Sequence, residues 1–198
     1  MLIAISGGIG SGKSIISRML QCIGYQVYDC DSRARQLIDN NIDIKRAICE
    51  SLGNSCIATD GTLNRKVVGD IVFNNPDKLQ LLNLITHAAV REDIKHWQQC
   101  QPDRLLFVET AILYQSGIDK MVDAVIEVTA PFDIKIQRIM LRNKLNYNDV
   151  LSRINSQKYS TDKPHANSFI ISNDDNDAVL PQLIKIIEIL RDIQLSAD

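Results

Sequence analysis

The sequence predicts an α/β protein of three layers, with a mainly parallel sheet of five strands between helices. Three observations predict it. Short apolar runs recur at 2–5, 26–28, 105–109, 122–128 and 169–171. Stretches with apolar residues at helical spacing separate them, and strands alternating with helices imply a parallel sheet covered on both faces. The first run passes through the glycine-rich stretch Gly7-Gly8-Ile9-Gly10-Ser11-Gly12-Lys13-Ser14 directly into a helical pattern.

Each element follows from local spacing. Ile15, Ile16, Met19, Leu20 and Ile23 form one helical face, and Gly24 is a stop signal. The run 26–28 is a short strand ending at Asp29-Cys30-Asp31. Residues 32–38 read as a short helix carrying Arg33 and Arg35, and 42–52 as another that Gly53 ends. The segment 54–66 is polar, with a turn at Asp60-Gly61. A helix is expected over 67–73. After Asn75-Pro76 a long one runs over 77–99, with Leu82, Ile85, Ala88 and Ala89 in helical register and Trp97 near its end. Pro102-Asp103 is a turn before the strand 105–109, which is apolar until Glu109. The strand 122–128 is interrupted by Asp123 and Glu127. Pro131 opens a helix to about residue 143, and 147–158 forms the next. The last strand ends at Ser172-Asn173, before a helix carrying Leu183, Ile186, Ile187, Leu190 and Ile193.

At 198 residues the chain suits one domain with small excursions. A net charge of −2 and a pI near 5.9 give no bulk attraction to nucleic acid or to a membrane surface. The five cysteines, Cys22, Cys30, Cys49, Cys56 and Cys100, include no C-x-x-C pair, so neither a disulfide framework nor a zinc pattern is expected. No signal peptide and no membrane span is read from the sequence, and a cytoplasmic location is expected.

The glycine-rich stretch is Gly, four residues, then Gly-Lys-Ser between a strand and a helix, which is the phosphate-binding loop of the P-loop NTPase fold. Glycines let backbone N–H groups turn inward around phosphate oxygens, and the helix N-terminus adds the positive end of its dipole. Gly8, Ile9, Gly10, Ser11, Gly12, Lys13, Ser14 and Ile15 are therefore expected to bind ATP. Lys13 would reach the β- and γ-phosphates, and the Ser14 hydroxyl would help to hold Mg²⁺.

Ligands in such sheets sit beyond the carboxyl ends of the strands. That rule gathers the loop, Asp29 and Asp31, Glu109 and Asn173 onto one rim. A kinase acting on a hydroxyl needs a carboxylate near the acceptor oxygen. One of Asp29 and Asp31 is expected to do this chemistry while the other caps the helix beginning near Ser32, unless both are simply helix-start residues. Arg35, one turn after Asp31, can clamp a phosphate of the acceptor, or be a solvated surface residue. Arg138 and Arg142 are four apart, so they share a helix face; with Arg153 they suggest a lid over roughly 138–163. Arg138 would act on the transferring phosphoryl and Arg142 on ATP. The three histidines, His87, His96 and His165, form no metal set.

These segments together resemble the dephospho-coenzyme A kinase family. The resemblance covers Ser6 and the glycine loop, Val27-Tyr28-Asp29-Cys30-Asp31 with Ala34-Arg35 (a D-x-D-x-x-A-R segment), and Asp60-Gly61-Thr62-Leu63-Asn64-Arg65 (a D-G-x-L-x-R segment). It continues through Gln137-Arg138 with Arg142, Arg153-Ile154 with Gln157, and Ile170-Ile171 with Asn173. The resemblance implies transfer of the ATP γ-phosphoryl to the ribose 3′-hydroxyl of dephospho-coenzyme A, by a P-loop kinase domain over 1–198. That domain would comprise a nucleotide-binding core, a helical acceptor-binding part near 32–100, and the lid. Asp31 would be the catalytic carboxylate, Arg35, Arg65 and His87 would lie toward the acceptor, and Asn173 would contact ATP. The chain would act as a monomer or weak homo-oligomer on these two small molecules. It departs from the family pattern at His87-Ala88, where the family has His-Pro, at Ala111-Ile112-Leu113, where it has Pro-Leu-Leu, and at Ala166-Asn167, where it has Ala-Asp.

Two other readings stand beside this one. A nucleoside or nucleotide kinase would share the loop and differ only in the acceptor region. A nucleotide switch would carry an N-K-x-D guanine signature, which Asn143-Lys144-Leu145-Asn146 approaches but lacks.

Overall fold

A computed structural model describes residues 1–102, 105–156 and 165–196. Its five strands are β1 (Leu2–Ser6), β2 (Gln26–Asp29), β3 (Leu106–Glu109), β4 (Ala124–Thr129) and β5 (Ser168–Ser172), in the order β2-β3-β1-β4-β5. The pairings of β1 with β3, β1 with β4 and β4 with β5 are parallel. β1 therefore lies at the centre, flanked by β3 and β4. All five of its residues are buried, which explains why it reads as an unbroken apolar run.

The chain divides into two compact units, one of Met1–Tyr28 with Pro102–Asp198, the other of Asp29–Gln101. In the first unit, α1 (Lys13–Cys22) and α8 (Val179–Leu195) join one core with the sheet. Ile16 and Leu20 of α1 and Leu183, Ile186, Ile187 and Leu190 of α8 meet Ile3, Ile5, Phe107, Ile126 and Ile171 there. The alternate strand residues Ala4, Leu106, Val108 and Val125 are equally buried, so both faces of the sheet are covered and the architecture is three-layered. In the same unit α6 (Phe132–Asn143) and α7 (Tyr147–Ser156) close a small core of Ile136, Ile139 and Val150, against which Ile9 packs.

The second unit is helical: α2 (Cys30–Asn40), α3 (Ile42–Leu52), α4 (Arg65–Phe73) and the long α5 (Pro76–Gln99). Its core holds Ile44, Ile48, Leu52, Cys56 and Val68, with Leu82, Ile85 and Ala89 of α5 packed against them. Arg33 of α2 makes a two-pronged ion pair with Asp93 of α5, at 2.7 and 2.9 Å.

The expected elements recur with shifted ends, and the shifts have causes. α2 begins at Cys30 rather than 32 because Asp29 caps it. α4 begins at Arg65 rather than 67 because Asn64 caps it. Pro76 occupies the first turn of α5, where its missing N–H costs nothing. β4 starts after Asp123, whose N–H donates to the Leu2 carbonyl as the strand enters. The end of the helix expected over 147–158 lies outside the described residues, as do Gln157, the far part of the 138–163 segment, and Asp103 of the expected turn.

Replacing Ile48, which is fully buried, by Ala removes packed atoms and leaves a cavity, so it should destabilise the protein by about 2–5 kcal/mol. Ile42→Ala, at a position 69% exposed on the same helix, should stay within about 0.5 kcal/mol of the wild type. Urea denaturation of the two variants checks this contrast.

Candidate active site

In the first unit the loop between β1 and α1 is formed by Gly7, Gly8, Ile9, Gly10, Ser11 and Gly12. Ile9 packs on the α6–α7 core, and Gly10 backs onto the Lys135 carbonyl and Ile139 of α6. Gly12 precedes α1 at φ +105°, and no side chain caps the helix there. A Cβ on Gly12 would meet the Asn173 side-chain nitrogen. The uncapped helix start leaves the positive end of the α1 dipole open to an anion.

Lys13 folds back over the loop and donates from Nζ to the carbonyls of Gly7 (2.8 Å) and Gly8 (3.3 Å). Its ammonium thus stands at the start of the loop. Ser14 is exposed, as is Ile15, and the Ser14 hydroxyl makes no hydrogen bond among the described residues. Ser17 follows on the buried face of α1 and donates to Glu109 Oε2 at 2.6 Å, holding the carboxylate at the end of β3. Ser17 went unnoticed in the sequence, although a hydroxyl between the buried Ile16 and Leu20 is the signal that could have found it.

Asn173, buried just after β5, donates from Nδ2 to the Ser11 carbonyl (2.8 Å) and accepts from Arg138 Nη2 (3.1 Å). Arg138 also donates to Asp175 Oδ1 at 2.6 Å, and its Nη1 is buried with no partner among the described residues. Arg142, on the same helix, is exposed, and among the described residues its Nε bonds only the neighbouring Asn143 side chain, at 2.9 Å. The two arginines therefore differ: one is tied to the loop through Asn173, the other projects outward. Arg153 is exposed on α7. A cavity of about 310 Å³ adjoins the loop, bounded by Gly8, Ile9, Thr129, Lys135 and Ile154.

In the second unit the roles of Asp29 and Asp31 separate. Asp29 Oδ1 accepts from the N–H groups of Asp31 (3.0 Å) and Ser32 (3.2 Å), and its Oδ2 accepts from the Ser32 hydroxyl (2.6 Å). It is the cap. Asp31 sits in the first turn of α2, exposed, and its carboxylate has no partner among the described residues. Arg35 is exposed and likewise unpaired among the described residues. Arg65, exposed, pairs with Asp39 at 2.7 Å, and His87 is half-buried on α5.

The Asp60–Arg65 segment is a turn that presents Arg65. Asp60 Oδ1 accepts from the Thr62 hydroxyl (2.7 Å) and N–H (2.9 Å), and Lys45 donates to the Gly61 carbonyl. Ile57 bridges Leu63, Leu63 packs on the core, and Asn64 caps α4 through the Val67 N–H. The Thr62 hydroxyl, then its N–H, hold the Asp60 carboxyl below its ordinary value of 3.8.

The model of the CoaE dephospho-CoA kinase family matches residues 1–178. A dephospho-CoA kinase from Porphyromonas gingivalis is 35% identical over 191 residues, covering 96% of this chain and 94% of the relative. The crystal structure of TT1252 from Thermus thermophilus superposes with a TM-score of 0.78 at 25% identity, covering 96% of this chain and 95% of that one. Shikimate kinase from Acinetobacter baumannii, in complex with shikimate, shares the fold with a TM-score of 0.56 at 14% identity, over 98% of this chain and 94% of that one.

Two expectations follow. Gly12→Ala combines a strained backbone with a collision at Asn173, so it should weaken ADP binding more than about tenfold and lower stability by about 1–3 kcal/mol. Gly24→Ala has a similar φ of +98° but open space around it, so it should lower stability and leave ADP binding unchanged; calorimetric titration with thermal melting separates the two. Because Asp60 has a lowered pKa when folded, its charge contributes stability above pH 3.8 that fades as pH falls through the native pKa. Asn keeps the acceptor but not the charge. The stability gap between wild type and Asp60→Asn should therefore persist at neutral pH and close in acid, as read by denaturation across pH.

Proposed function

Because the chain belongs to the dephospho-CoA kinase family, we propose that the residues described above divide that family's reaction among them. The reaction moves the γ-phosphoryl of ATP to the ribose 3′-hydroxyl of dephospho-CoA, giving ADP and CoA in the last step of CoA biosynthesis. A bond forms between O3′ and the γ-phosphorus while the bond to the β,γ-bridging oxygen breaks. The O3′ proton passes to the Asp31 carboxylate, and ADP leaves with the bridging oxygen's electron pair.

The loop residues Gly8 to Gly12 and the start of α1 hold the triphosphate, with Lys13 neutralising charge on its β- and γ-phosphates. The Ser14 hydroxyl, unpaired among the described residues, is an oxygen donor of the kind a hard cation takes. Ser14 would hold a Mg²⁺ ion there together with ATP, and the ion would further neutralise the phosphates. Arg138 and Arg142 serve the phosphoryl group and ATP from α6. Arg35, Arg65 and His87 serve the acceptor from the helical unit, and residues 138–163 act as the lid. The same reading makes the protein a cytoplasmic monomer or weak homo-oligomer that works on two small molecules without nucleic acid or membrane. Among the described residues no helix is long and apolar enough to cross a membrane.

The observation that carries the catalytic assignment is the separation at the start of α2. Asp29 is committed to capping, and the carboxylate of Asp31, two residues on, is unengaged among the described residues. Asp31→Asn should lower turnover of dephospho-CoA by about 10²–10⁴-fold with ATP affinity retained. Asp29→Asn keeps a good cap and should keep turnover within a few-fold. Full activity in Asp31→Asn would overturn the assignment. Lys13→Ala should abolish measurable transfer in the same assay, because charge on the transferring phosphoryl goes uncompensated.

A further inference from the structure

Asn173 is only 6% exposed, and every polar atom of its amide is engaged. Nδ2 donates to the Ser11 carbonyl at 2.8 Å, and Oδ1 accepts from Arg138 Nη2 at 3.1 Å. Its backbone N–H donates to the Thr129 carbonyl at 2.9 Å, anchoring the residue to the end of β4. The neighbours dictate the orientation of the amide. A carbonyl can only accept and a guanidinium can only donate, so a flipped amide would face both wrongly. Gly12 packs so closely on Nδ2 that a Cβ there would strike it.

The Ser11–Gly12 peptide is planar and trans, so its carbonyl and its N–H point in opposite directions. Tying the Ser11 carbonyl to Asn173 therefore turns the Gly12 N–H away from Asn173. We propose that Asn173 is a positioning residue for the phosphate loop: it fixes the Ser11–Gly12 peptide so that the Gly12 N–H is presented to a phosphate oxygen, and it acts on the nucleotide through the triphosphate and not by touching the base. This rests on the reading that residues 7–14 bind the triphosphate. A different role, with the amide turned onto the adenine, would leave the buried Ser11 carbonyl unpaired, which is costly, and would leave Arg138 Nη2 with Asp175 in place of two acceptors.

The test uses a ligand with no base. Binding of tripolyphosphate, ATP and GTP is measured by calorimetry for the wild type, Asn173→Ala and Asn173→Asp. Asp keeps an acceptor for Arg138 but cannot donate to Ser11, so it removes the loop bond with the volume preserved. Both variants should bind all three ligands about tenfold more weakly, with the preference between ATP and GTP unchanged, at a temperature well below their melting midpoints. Unchanged tripolyphosphate affinity in a folded variant, whether ATP affinity falls or holds, overturns the proposal. A wild type that binds neither tripolyphosphate nor ATP overturns the phosphate-loop reading itself, which is a separate outcome. A crystal structure of the wild type with ADP decides the matter without any variant. Asn173 Nδ2 on the Ser11 carbonyl supports the proposal, and an Asn173 amide on the adenine overturns it.

Discussion

The turn from β1 into α1 is the constraint on which the nucleotide-binding unit depends. β1 is the buried central strand, so the chain leaving it has no room to wander before α1 must lay Ile16 and Leu20 on the sheet. The chain makes the reversal through Gly12 in a left-handed conformation, and begins the helix with no side-chain cap. Any capping side chain would occupy the donors that an anion needs. The helix that packs the core and the uncapped helix end at the glycine loop are thus one element. The loop is buttressed from behind by Asn173 and flanked by Ile9 on the α6–α7 core, so its shape is set before any ligand arrives.

The acidic residues show how one residue type takes on unlike duties through its neighbours. Asp29 spends its carboxylate on two backbone N–H groups, Glu109 is held by the buried Ser17 hydroxyl, and Asp175 takes the Arg138 guanidinium. Asp93 staples α2 to α5 through Arg33, and Asp60 closes the turn before α4. Of the two aspartates flanking Cys30, only Asp31 keeps its oxygens uncommitted among the described residues. The cap on Asp29 lets the helix form without recruiting the Asp31 carboxylate.

Much of this was legible in the sequence. Strand positions read directly because parallel strands covered on both faces are continuous apolar runs, and Gly24, Gly53 and Asn75-Pro76 marked helix boundaries through their backbone preferences. The glycine loop read directly because its chemistry is local. Features that depend on residues far apart in the chain did not read. The Ser17–Glu109 bond spans 92 positions and the Asn173–Ser11 bond 162, so neither partner could be read from its own local stretch, although the Ser17 hydroxyl on an apolar helix face was itself a signal. Strand order was likewise hidden, since the spacing of apolar runs carries no information about which neighbours pair. Asp29 and Asp31 were ambiguous because both are good helix-start residues, and only the hydrogen bonds distinguish them. The spacing of four put Arg138 and Arg142 on one helix face, yet only Arg138 is tied to Asn173 while Arg142 is exposed.

Phosphoryl transfer to one particular acceptor can be decided in a single assay. The purified protein is incubated with Mg²⁺ and ATP, with dephospho-CoA, adenosine and nucleoside monophosphates offered in parallel, and products are read by mass. CoA and ADP should form in equal amounts with dephospho-CoA, with no phosphorylated product from the other acceptors. Phosphorylation of a nucleoside or nucleotide with dephospho-CoA left untouched would contradict it, as would ATP hydrolysis with no acceptor modified.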